Sequence, residues 1–220
     1  MSYTNFIYQQ LQESHINNIY NLHHSIYEEM LLKDDTKQFL FKKEKEDFLK
    51  LIEKGAVIVG CFDKNKLVGF AVAEPLKEND IQPNQEYHLS KFNLSTQTQN
   101  IYSYGSVVVD YNYRGQHIPS HIMSNMEQIL KEKEKTKDIC LTASCACGNN
   151  TSLHSLQKGA GFIVLEKYIS PEDGEHCYLL IKQIKNKLKS IQENKELKTT
   201  SNAFSQTIKA LTITQEKQVA

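Results

Sequence analysis

The stretch SVVVDYNYRGQHIPSHIM, from Ser106 to Met123, limits the fold more than any other part of the chain. Three consecutive β-branched residues, Val107 to Val109, suit a strand covered on both faces. A polar turn with Arg114 and Gly115 follows. Ser120 then opens a helix with Ile122, Met126, Ile129 and Leu130 along one side. A strand that turns directly into a helix aims backbone N–H groups and the positive end of the helix dipole at the strand tip. Such a tip suits a phosphate-bearing ligand, and the turn amides are placed to hold a diphosphate. Where the sheet splays at that tip, free strand amides are able to pair with an extended, peptide-like ligand. The plainer reading of these residues is an ordinary β–α connection with a solvated arginine.

The hydrophobic pattern lays out the other elements. Phe6 to Tyr8 suits a short edge strand. Ser14 to Leu32 carries Ile16, Ile19, Tyr20, His23, Ile26, Tyr27 and Met30 at helical spacing, with Ser14 as the expected N-cap. Lys43 to Lys54 is a second helix, and Gly55 is placed to end it. Ala56 to Phe62 and Leu67 to Leu76 are strands joined by DKNK as a hairpin. Lys77 to Asn100 is a polar loop long enough to suggest function or movement. Then come a strand (Ile101 to Asp110), the helix to Lys133, and a strand (Asp138 to Ala146). A short helix (Asn150 to Lys158) ends in Gly159-Ala160-Gly161, and two strands (Phe162 to Tyr168 and His176 to Lys182) flank SPEDGE. The hairpin calls for antiparallel pairing, and the later β–α–β alternation implies parallel pairing. An α/β fold with a central mixed β-sheet flanked by helices satisfies both over residues 1–182. Residues 183–220 lack Gly, Pro and Cys, and Ile184, Leu188 and Ile191 sit at helical spacing. A helical or mobile C-terminal tail is expected there.

Composition narrows the class. The 220 residues carry 26 basic and 26 acidic side chains, so nothing draws the whole chain to nucleic acid or anionic lipid. No basic stripe with interleaved aromatics is present, and KEKEKTK (Lys131 to Lys137) alternates in sign as a solvated helix end does. No apolar run nears the roughly 20 residues of a membrane span. MSYTNFIYQQ lacks the order of a signal peptide, so a cytoplasmic protein is expected. Five cysteines, an odd number, argue against a disulfide framework. The lone C-x-C pair, Cys145 and Cys147, makes no metal site, and the histidines show no metal-ligand spacing. His23 and His24, adjacent on a helix, read as surface or capping residues.

A second chemistry-bearing stretch, NNTSLHSLQKGAGF (Asn149 to Phe162), follows the next strand directly. With it, the succession resembles the GNAT superfamily of N-acetyltransferases, which transfer an acyl group from acyl-CoA to an amine. The family's pyrophosphate motif is Q/R-x-x-G-x-G/A, set in V-x-P-x-Y-R-G-x-G-I-G-S-x-L. Val109, Tyr113, Arg114, Gly115, Ile118, Ser120 and Ile122 match that setting. The later pattern, N-x-x-S/A…G-F, is met by Asn149 or Asn150, Ser152, Gly161 and Phe162. IVGCFDKNKLVGFAVAEP is similar to the family's second and third strands. The resemblance spans about residues 3–182 and implies a GNAT-like acyl-CoA N-acyltransferase fold. It implies acetyl-CoA as co-substrate and no metal. Val107, Val108 and Val109 would run along the pantetheine arm, and Asn150 and Ser152 would line the CoA side of the cleft. Arg114, Gly115, Gln116, His117, Ile118, Pro119 and Ser120 would hold the diphosphate.

The chain departs from the family at telling places. His117 and Pro119 replace two motif glycines, and Tyr111 replaces the usual proline after the fourth strand. Histidine is among the side chains enriched at positive φ, and it brings a donor of its own. Proline lacks an N–H but suits the first helical position. Catalysis asks for a base to take the amine proton and an acid for the departing thiolate. Counted back from Phe162, the family's acid tyrosine falls on Gln157, which supplies no proton, so Tyr168 and Ser155 are the substitutes. Glu74, Glu86, His88 and Tyr104 are the candidate bases, and Cys145 reads as a core residue of its strand. The expected function is acetyl transfer from acetyl-CoA to a primary amine of a small molecule or protein. The alternative is a non-catalytic CoA-binding or protein-interaction module on the same scaffold. The partners implied are acetyl-CoA and the amine acceptor, with no nucleic acid and no membrane, and a homodimer is left open.

Overall fold

One sheet of seven strands organises the molecule, a computed structural model that describes residues 5–32, 40–77, 89–92, 94–170 and 174–185. The strands are β1 (Phe6–Leu11), β2 (Val57–Asp63), β3 (Lys66–Pro75), β4 (Gln99–Val109), β5 (Asp138–Ala146), β6 (Ile163–Ile169) and β7 (His176–Ile184). They lie in the order β1-β2-β3-β4-β5-β7-β6. The sheet is mixed, as expected, but β4 with β5 is its single parallel pair. The reason is that β6 and β7 form an antiparallel hairpin, and β7 rather than β6 docks on β5.

The hairpin β2–β3 is nearly all apolar, so it is stable only where both faces are covered. The helices supply that cover. They are α1 (Ile16–Leu32), α2 (Lys45–Glu53), α3 (Ile118–Lys133) and α4 (Asn150–His154). On α3, Ile118, Ile122, Met126 and Leu130 recur every fourth residue and pack on Val59, Val68, Tyr104 and Leu180. Full burial of each such side chain stabilises by about 1.5–3 kcal/mol. On the opposite face Ile19 and Leu22 of α1 and Phe48 of α2 pack on Ile58, Phe70 and Val108. A third cluster, with Leu89, Leu94, Ile101, Cys140 and Ile181, lies on that same face across β4 and β5. Gly55 ends α2 as expected. It takes φ +89, and its N–H and that of Ala56 bond the Ile52 and Leu51 carbonyls at 2.9 Å.

Several expectations are corrected. Ser14 is not an N-cap; it lies inside a 3₁₀ turn, Glu13–His15, whose N-cap is Gln12. His23 is no surface residue. It is 1% exposed, edge-on to Phe48 at 5.3 Å, because that side of α1 faces α2. Burial pulls its pKa down to about 4, so its imidazole is neutral. Ile184 begins no helix: it extends β7, pairs with Ile139 and is buried. The helix expected from Asn150 to Lys158 is helical only to His154, and Ser155–Gly159 widens into a π turn. Helix α3 starts at Ile118, two residues before Ser120, so Pro119 takes its second position rather than its first. Leu188 and Ile191 of the tail, and Glu86 and His88 of the long loop, lie outside the described residues.

Candidate active site

β4 and β5 pair from Gln99–Asp138 to Ser103–Thr142 and no further. Beyond that point β4 keeps only β3, and β5 keeps only β7. A bulge drives the parting. Val72 opposes Gly105 and Phe70 opposes Val108, so Ala71 alone faces Ser106 and Val107. Ser106 takes φ +48, and the strand bends there. The three valines are therefore not covered alike. Val108 is buried, Val109 is half-buried, and Val107 stands 36% exposed. The gap opens a cleft of about 1340 Å³ that reaches from the N-terminus of α3 to the C-terminal turn of α1 on the other face.

At the α3 end, β4 runs into a loop tied to the β2–β3 hairpin. Lys66 Nζ donates to Asp110 Oδ2 at 2.7 Å, and the Tyr113 hydroxyl donates to Asp63 Oδ2 at 2.8 Å. Asp110 also accepts the Asn112 N–H at 3.0 Å. Gly115 takes φ +78 with open space where a Cβ would stand, so its backbone alone demands glycine. His117, the N-cap of α3, takes φ +57 and keeps the left-handed conformation a glycine would have had. The Ser120 and His121 N–H groups bond the His117 carbonyl at 3.0 and 3.2 Å. Among the described residues the N–H groups of Gly115, Gln116, His117 and Ile118 make no backbone hydrogen bond. Across the cleft, Ser120 Oγ donates to the Gly159 carbonyl. Lys182 Nζ donates to the Ala160 carbonyl and pairs with Glu127 Oε1 at 2.6 Å. Those two side chains fasten the π turn to α3.

Of the residues expected to hold acetyl-CoA, Val107 to Val109, Arg114, Gly115, His117 to Ser120 and Ser152 all line the cleft. Gln116 and Asn150 do not; Asn149 does, capping α4 by accepting the Ser152 N–H at 3.0 Å. Arg114 stacks on Tyr111, its guanidinium 5.2 Å from the ring centroid.

The catalytic candidates separate. Glu74 is absent from the lining and turns to Lys54 Nζ at 3.4 Å. Tyr104 and Tyr168 both line the cleft. Tyr104 is 3% exposed, its ring 5.4 Å from Phe162, and its hydroxyl has no hydrogen-bond partner among the described residues. Burial pushes its phenol pKa far up, so at neutral pH it is a hydrogen-bond donor and not a base. Tyr168 shares a 2.6 Å hydrogen bond with Ser144 Oγ. Gln157 is exposed and turned from the cleft, whereas Ser155 and Lys158 of the π turn line it. Cys145 also lines the cleft, but burial raises its thiol pKa and keeps it protonated.

Sequence reasoning missed one wall. Ile26, Glu29 and Met30 of α1, with Leu40, Phe41 and Lys43 ahead of α2, line the cleft on the face that carries α1 and α2. The available signal was the apolar triplet FLF at 39–41, stranded between charged stretches.

The Acetyltransferase (GNAT) family model matches residues 16–162. In structure the chain is similar to Arabidopsis thaliana NAA60 solved with acetyl-CoA, with TM-score 0.60 and 14% identity over 82% of this chain and 99% of that one. It is similar to yncA of Salmonella typhimurium, also solved with acetyl-CoA, with TM-score 0.55 and 12% identity over 82% and 94%. The ribosomal-protein-S18-alanine N-acetyltransferase of Escherichia coli aligns with TM-score 0.53 and 11% identity over 81% and 94%. At such identities the likeness carries the fold. No curated protein sequence matches the chain. No helix among the described residues is long and apolar enough to cross a membrane.

Proposed function

The chain belongs to the GNAT acetyltransferase family, and from that premise we propose that it moves the acetyl group of acetyl-CoA to a primary amine. The observation that carries this reading is the parting of β4 from β5 beside the unbonded N–H groups of Gly115 to Ile118. These groups fit the co-substrate. The β4 edge from Gly105 to Val109 has no strand on its β5 side, so it offers donors and acceptors to the two amides of a pantetheine arm. The loop amides and the α3 dipole suit a diphosphate. Pro119 removes one donor, while Arg114, His117 and Lys158 bring side-chain donors to the same cleft.

The chemistry follows from the two sides of the split. A neutral amine attacks the thioester carbonyl carbon, the C–N bond forms, and the C–S bond breaks with its electron pair leaving on sulfur. Tyr104 packs in the cluster under α3, and its protonated hydroxyl is the donor for that sulfur. Ser144 alternates with Ala143 and Cys145 of that cluster, so it faces the other side with Tyr168. That hydroxyl pair is the path by which the amine proton leaves to water. The same reading puts the protein in the cytoplasm, a reducing compartment that suits an odd number of cysteines.

The test is calorimetric titration with acetyl-CoA, followed by release of free thiol with a panel of amines. Saturable binding with thiol release that requires an amine supports transfer. No binding at millimolar acetyl-CoA overturns it, and binding without thiol release from any amine points to the non-catalytic module.

A further inference from the structure

We infer that the acceptor is an amine joined to a sizeable apolar body, a refinement that rests on the transferase reading above. The cleft continues past the β4–β5 split onto the face that carries α1 and α2. There it lies between two of the hydrophobic clusters. One side is built by Ile26 and Leu40, which pack against the cluster under α1 and α2, with Met30 and Phe41 also in the lining. The other side is built by Leu89, Leu94 and Ile181, members of the cluster that spans β4, β5 and β7. The apolar surface does not stop at the rim. Phe41, one of the lining residues, is itself 61% exposed. An exposed aromatic ring at a cleft mouth offers contact area to an apolar ligand.

Charge complements this shape. The described charged residues on this end of the cleft are Glu29, Glu175 and Lys43. Two carboxylates against one ammonium suit an incoming monocation. The hydroxyls of Ser103, Thr142, Ser144 and Tyr168 gather where the strands part, which puts the polar atoms at the reacting end and the apolar walls beyond it. An amine head at the split with a hydrocarbon body between α1 and β7 satisfies both.

The experiment is thiol release from acetyl-CoA with linear alkylamines from propylamine to hexylamine, beside spermidine and two peptides that differ in starting with Leu or Gly. Each methylene taken from water contributes enough for about a fourfold rise in kcat/KM along the series. Phe41→Ala should flatten the series while the KM for acetyl-CoA stays unchanged. Phe41 is largely exposed, so its loss leaves the core intact. A rise confined to the peptides identifies the source as a polypeptide amino terminus, and a rise with the alkylamines identifies a small molecule; either supports the inference. A flat series with spermidine preferred overturns it and leaves transfer standing. No thiol release with any amine, alongside normal acetyl-CoA binding, removes both.

Discussion

The two walls of the cleft are made of different material. The wall proposed for the cofactor, β4 with its loop and α3, presents backbone: strand amides without a partner on the β5 side, loop N–H groups and a helix dipole. The wall proposed for the acceptor, from α1 and the segment before α2 across to β7, presents side chains. A backbone wall survives substitution as long as φ and ψ are kept. His117, at φ +57, takes the left-handed conformation without being a glycine. A side-chain wall has no such insurance, so each substitution there resets what it accepts.

Four perturbations would break or sharpen that contrast. The largest is acid. His23 lies buried between α1 and α2, edge-on to Phe48. Its folded pKa, about 4, is below the unfolded value of about 6.5, so the unfolded chain binds more protons between those two. Its contribution is therefore complete above pH 6.5 and lost as the pH falls toward 4, on the order of 3 kcal/mol. Denaturant midpoints at pH 7 and 4.5 should show this loss in the natural protein and a smaller one in His23→Gln. Next comes Tyr104→Phe, expected to lower kcat about 100-fold through loss of the donor. Its melting temperature should hold or rise, because the buried hydroxyl it deletes has no partner among the described residues. Equal losses of kcat and stability would return Tyr104 to a packing role. Third, Gly115→Val places a branched residue at φ +78, a cost of at least about 1–2 kcal/mol. Acetyl-CoA affinity should fall about tenfold, with the amine KM unaffected; unchanged affinity would show that the loop amides hold nothing. The smallest effect is Gln157→Ala, expected to change kcat/KM by less than about twofold since its side chain is outside the cleft.

The same contrast governs what the sequence discloses. The cofactor wall is a run of neighbours, so strand, turn and helix signals stand side by side from Ser106 to Met123. The hairpin and the face of α3 were equally plain, because continuous apolar runs and a fourfold recurrence each have one structural solution. The acceptor wall draws on residues from Ile26 to Ile181, and no periodicity joins them. His23 looked like a surface residue because the helical pattern alone does not say how wide the buried stripe of α1 is. Gln157 is reached by counting back from Phe162, and a count along the sequence does not tell which way the π turn aims the side chain. Glu74 stood at a plausible strand end, but nothing local announced that Lys54 would claim it.

The extra residue at Ser106 acts as a change of phase. Up to Tyr104, odd and even positions of β4 divide between the faces in one sense; beyond the bulge they divide in the other. Val108 thereby joins the cluster under α1, and Val109 the one under α3. One strand thus keeps two calendars, and a single-residue deletion there would do more than shorten it. It would exchange the inner and outer faces of the stretch from which both the opening and the loop are hung.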